Sequence, residues 1–79
     1  MEGVEGRIKK DIDIFYKNVK FDTELSEEEK KVVELAEMYA KDSQAWLEKG
    51  DLYTAFSSIS YAHGLLDAIR KIKGVDEYK

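Results

Sequence analysis

No proline occurs in the 79 residues, so nothing in the chain forbids long helices. Turn signals are confined to KFDTELSEEE after Val19, to KGD at 49–51 and to Gly74, which divides the sequence into three segments. In the first, from about Val4 to Val19, the residues Val4, Ile8, Ile12, Phe15 and Val19 recur every three or four positions. They form one narrow stripe with Lys9, Lys10, Asp13 and Lys17 outside it, the pattern of a helix with one buried side.

Ser26 followed three residues later by Glu29 reads as a capping box, and Glu27 and Glu28 suit the positive end of a helix dipole. The second helix is therefore expected over Glu27 to Lys49. Its apolar positions are Val32, Val33, Leu35, Ala36, Tyr39, Ala40, Trp46 and Leu47, with Ser43 on the same side. They cover a sector of about 160° at 100° per residue, and Trp46 is expected as the last core anchor, with an interface anchor as the alternative. Gly50 can take the left-handed conformation that ends a helix, and Asp51 can cap the next one, so KGD is the corner of a tight helical hairpin.

The third helix is expected from Leu52 to Lys73, with Gly74 as its stop. Between Leu52 and Leu66 it carries no ionised side chain, in a chain that is 38% charged. Its main stripe is Leu52, Ala55, Phe56, Ile59, Ala62, Leu66 and Ile69. A second stripe of Tyr61, Leu65, Ala68 and Ile72 lies on nearly the opposite side, leaving a narrow polar strip of Ser57, Ser60, Gly64, Asp67 and Lys71. A helix so widely apolar must touch more than one neighbour, either its own chain or a partner. Tyr61, Leu65, Ala68 and Ile72, extended by Tyr53, are the interface candidates. Ala55, Ser58, Ala62 and Gly64 allow close helix approach.

Composition narrows the function classes. With no cysteine and one histidine there is neither a disulfide framework nor a thiolate or multi-histidine metal site, and no cofactor is called for. A formal charge of -4 has the wrong sign for neutralising phosphates, which argues against nucleic acid. No apolar run approaches the roughly 20 residues that cross a bilayer, and MEGVEGRIKKD lacks the apolar core of a secretory signal. The expectation is a cytoplasmic protein with no membrane partner. Abundant Lys and Glu without Cys would also suit a thermostable protein.

His63 and Asp67 stand four apart on one helix, the spacing of a metal pair or an assisted general base. The structural alternative is a neutral histidine bonded to Asp67 or to a second-helix group. Tyr39, Asp42 and Ser43 lie at one edge of the second helix, where Tyr39 and Asp42 could join His63 and Asp67 in a buried network or a small-ligand pocket. There is no glycine-rich phosphate loop, no G-x-S-x-G and no paired His-Glu metal motif. A catalytic or metal assignment is not expected.

Tyr39 and Asp42, the Gly50-Asp51 corner, and the run Tyr61, Ala62, Gly64, Leu66, Asp67 and Ala68 together resemble the small archaeal family called domain of unknown function 357. The resemblance covers Tyr39 to Gly74 closely. It implies a closed three-helix bundle and no activity. The corner is also similar to one hairpin of a tetratricopeptide repeat, but a solenoid needs about three such units. The Y-A-H run looks like helical domains of prokaryotic toxin nucleases, which place an Arg several residues before the His. Here the only arginines are Arg7 and Arg70.

The reading is a single all-α domain over residues 1–79, a three-helix antiparallel up-and-down bundle with two long C-terminal helices. It would act as a non-enzymatic interaction module, self-associating or binding a protein partner through the third helix. The alternative is a ligand-binding or catalytic bundle using Tyr39, Asp42, His63 and Asp67.

Overall fold

The computed structural model describes residues 2–75, with the side chains from Gly3 onward. Three helices follow in order: α1 (Glu2–Asn18), α2 (Glu27–Glu48) and α3 (Leu52–Ile72). No strand occurs among the described residues, and no helix there is long and apolar enough to cross a membrane. The chain is the expected all-α bundle.

The helix ends follow from side-chain chemistry. Ser26 Oγ accepts from the Glu29 amide at 3.1 Å and Glu29 Oε1 accepts from the Ser26 amide at 2.8 Å, closing the capping box at the start of α2. Gly50 and Gly74 are the residues at positive φ, 85° and 73°, where a Cβ would be strained. At the corner, Asp51 accepts from the Thr54 amide at 3.0 Å and from the Thr54 hydroxyl at 2.8 Å, capping α3.

The corner turns α2 and α3 into an antiparallel hairpin joined along its length. Ser43 Oγ donates to the Ala55 carbonyl at 2.6 Å near the corner, Tyr39 meets Tyr61 midway, and Lys73 pairs with Glu29 at 2.9 Å at the far end. Ser43, Ala36, Ala40, Ala55 and Ala62 are wholly buried, so small side chains bring the two backbones close. Into the groove on one side of this hairpin α1 lays Ile8, Ile12 and Phe15, which complete a core with Ile59 and Leu66.

Some residues expected on buried stripes are at the surface. Trp46 is 37% exposed at the corner, with Lys49 Nζ 4.9 Å from its ring centre, and Phe56 is 45% exposed beside α1. Trp46 lies on the flank of α2 turned away from α1, and Phe56 sits at the edge of the first turns of α1, lining a cleft with Gly3, Val4 and Arg7. Val4 is likewise half exposed.

Arg70 is the converse. It falls on the main stripe of α3, four residues past Leu66, and is buried, its guanidinium reaching the Asn18 carbonyl at 3.5 Å. A cation there faces the negative end of α1's dipole. Lys73 adds a second tie, donating to the Glu24 carbonyl at 3.0 Å as well as to Glu29. Arg70 in the last turn of α3 and Lys73 at its C-cap thus hold both α1's end and the connection to α2.

Candidate functional site

Of Tyr39, Asp42, His63 and Asp67, the structure brings His63 and Asp67 into one groove and leaves Tyr39 and Asp42 apart from them. His63 faces α1: its Nε2 donates to the Asp11 carbonyl at 2.8 Å, and its ring stands edge-on to Phe15 with centroids 5.8 Å apart. Because a carbonyl only accepts, Nε2 carries the ring's hydrogen in that bond. Asp67 lines the same groove, whereas Tyr39 is on the other flank of the hairpin, packed edge-on against Tyr61 with centroids 4.6 Å apart. Asp42 is exposed. The sequence suggests Asp67 or an α2 group as the partner of His63, whereas its Nε2 bonds to α1, which crosses the hairpin on the His63 flank. Segment spacing does not reveal that choice of side.

The open groove between α1 and α3 spans about 610 Å³ and gathers Arg7, Asp11, Phe56, Ser60, His63 and Asp67 around Gly64. No motif or spacing in the sequence marks Arg7 or Asp11 as part of a site. A Cβ built on Gly64 meets nothing within 4 Å, so packing inside the chain does not require the glycine. No group of three or more His, Asp or Glu side chains among the described residues could hold a metal ion.

The opposite flank is apolar. At 100° per residue, Val32, Leu35, Tyr39 and Trp46 share a sector of about 60° on α2, and Tyr61, Leu65, Ala68 and Ile72 share one of similar width on α3. The Tyr39–Tyr61 contact joins the two sectors into one face. Meanwhile α1 lies elsewhere: Phe15 touches His63, and Tyr16 lines a cleft with Glu34, Glu37, Met38 and Lys41 on the other side of α2. The face is thus turned away from α1.

Tyr61 is 51% and Ile72 65% exposed, and Leu35 is also exposed, while Tyr39 and Leu65 are half-buried and pack on the core. Ala68 is exposed. Tyr53, at 83%, is the most exposed of the large apolar residues described but does not extend this face. Eight residues before Tyr61, it is turned about 80° around α3, above the groove flank.

Among the described residues two carboxyl groups have altered acidity, both at caps. The Ser26 amide, followed by the Lys73 ammonium, holds Glu29 below its ordinary value. The amide and hydroxyl of Thr54 do the same for Asp51. Both serve helix starts and neither lies on the apolar face or in the groove.

A family model described as Protein of unknown function (DUF357) matches residues 8–75, taking in α2, α3 and most of α1. No curated protein matches the chain.

Proposed function

Since the chain belongs to this family of unknown function, we propose from the geometry alone that it is a non-enzymatic interaction module, associating through the α2–α3 face turned away from α1. The observation that carries this reading is the position of its exposed apolar residues. Leu35, Trp46, Tyr61 and Ile72 are all exposed on one flank and made continuous by half-buried Tyr39 and Leu65. Aromatic residues with an aliphatic neighbour on a rigid surface are what protein interfaces select. His63, engaged with the Asp11 carbonyl and packed on Phe15, acts in this reading as a structural tie between α3 and α1.

The test is co-purification of a tagged chain from its native cells. Wild type and Tyr53→Lys should retain the same associated species, whether a second copy or another protein. Tyr61→Lys and Ile72→Glu, both at exposed positions, should lose it while keeping their helical circular dichroism. Full retention by Ile72→Glu would refute the reading.

A second reading is favoured by the α1–α3 groove, where Arg7, Asp11, Ser60, His63 and Asp67 surround a glycine that packing does not explain. A small polar ligand carrying both charges would suit it. Titration of a library of amino acids and their derivatives, followed by the His63 ring resonances, should then show saturable shifts that Arg7→Ala abolishes. Unmoved resonances throughout would end this reading.

A further inference from the structure

The apolar face has a reciprocal arrangement along its length, and it points to the occupant. Starting from the corner, α2 presents Trp46, Asp42, Tyr39, Leu35, Lys31 and Glu28 in order. Each step down α2 is a step up α3, as the Ser43–Ala55, Tyr39–Tyr61 and Glu29–Lys73 contacts show, so Leu35 and Leu65 follow Tyr39 and Tyr61 at matching levels. The midpoint between Tyr39 and Leu35 on α2 is level with the midpoint between Tyr61 and Leu65 on α3.

A two-fold axis at that level, lying in the face and across the helices, sets α2 on its own symmetry mate antiparallel, and α3 likewise. Tyr39 then meets Leu35 of the second copy, and Tyr61 meets its Leu65, each contact occurring twice. The same operation places Asp42 against Lys31 and Lys49 against Glu28 of the other copy. Asp42, Lys31 and Glu28 are exposed and take no ion pair among the described residues. Lys49 is held over Trp46 at the corner end, at the level that must reach Glu28.

We infer that the face binds a second copy of this chain as an antiparallel two-fold dimer, Tyr39 on Leu35 and Tyr61 on Leu65, with Asp42 paired to Lys31 across the rim. This rests on the reading of the face as an association surface and adds the partner and the register. Apolar matching supplies the contact area, and opposite charges at the two rim positions reject a parallel stacking, in which α2 would lie on α3.

The experiment is sedimentation equilibrium at low ionic strength of wild type, Asp42→Lys, Lys31→Asp and the double variant, all changes at exposed positions. Wild type should dimerise. Each single variant places like charges together at two sites and should weaken association about tenfold or more, and the double variant should return to within about threefold of wild type, since it restores both pairs with their signs exchanged. Single variants that are additive in the double variant overturn the antiparallel register. A wild type that stays monomeric to millimolar concentration overturns the dimer. If that monomer still co-purifies with another protein and loses it in Ile72→Glu, the association surface itself stands and only the self-pairing falls.

Discussion

The two sides of the α2–α3 hairpin carry similar apolar residues and meet different fates. On one side α1 brings Ile8 and Phe15 to full burial against Ile59 and Leu66, and ties itself down through His63 to Asp11 and Arg70 to Asn18. On the other, Tyr61, Leu35 and Ile72 stay open although Tyr39 and Leu65 beneath them are part of the packed structure. The difference is coverage: a chain with three helices can seal one side of a long hairpin and leave the other to an external surface. Apolar content alone does not distinguish the covered flank from the open one, but position relative to α1 does.

The largest expected effect comes from the covered side. Phe15→Ala should destabilise by about 3–5 kcal/mol, read as a large fall in the urea midpoint, whereas Ile72→Ala on the open side should change the monomer by less than about 0.5 kcal/mol. Equal losses would erase the distinction between the two sides. Within the hairpin seam, Ser43→Val replaces a buried hydroxyl bonded at 2.6 Å by a larger branched group. Overpacking should cost about 1–3 kcal/mol in the same assay. A neutral result would mean that the two backbones are less closely apposed at that level.

The bundle was legible in the sequence because its signals are local. The capping box, the glycine corner and the spacing of Ile8, Ile12 and Phe15 are read within a turn or two of helix, and the helix bounds follow from them. What was not legible depends on which flank α1 chooses. Trp46 falls on the flank that α1 leaves open, Phe56 at the rim of the α1–α3 groove, and His63 Nε2 finds a carbonyl of α1. Arg70 had a usable signal, its place four residues after Leu66 on the main stripe, although its partner at the end of α1 depends on tertiary placement. Tyr39 and Asp42 were joined to His63 by wheel angle alone, and α1 on the His63 flank leaves them on the other side.

Smaller effects sharpen the comparison at the hairpin's edges. Asp51→Ala removes the α3 cap and should cost about 1 kcal/mol, measured as a lower melting temperature with the helix content of the native state retained. Gly64→Ala should raise stability by about 0.5–1 kcal/mol, since its Cβ enters open space in a helix interior. A loss there would show that something of the chain's own closes over the groove.

The smallest expected effect is on pH. Glu29 and Asp51 have their acidity increased by folding, so their contribution is present above the carboxylate range of the unfolded chain. It should fade as pH falls through and below about 4, and urea midpoints in Glu29→Gln should show a shallower acid decline than wild type. An identical decline would separate the capping box from acid stability.

The central claim, that the flank of α2 and α3 away from α1 is an association surface for a second copy, is tested most directly by comparing the solution mass of wild type with that of Ile72→Glu. Sedimentation equilibrium should give wild type twice the 9.1 kDa chain mass and Ile72→Glu a single chain mass. Two species of the same mass, both single or both double, would contradict it.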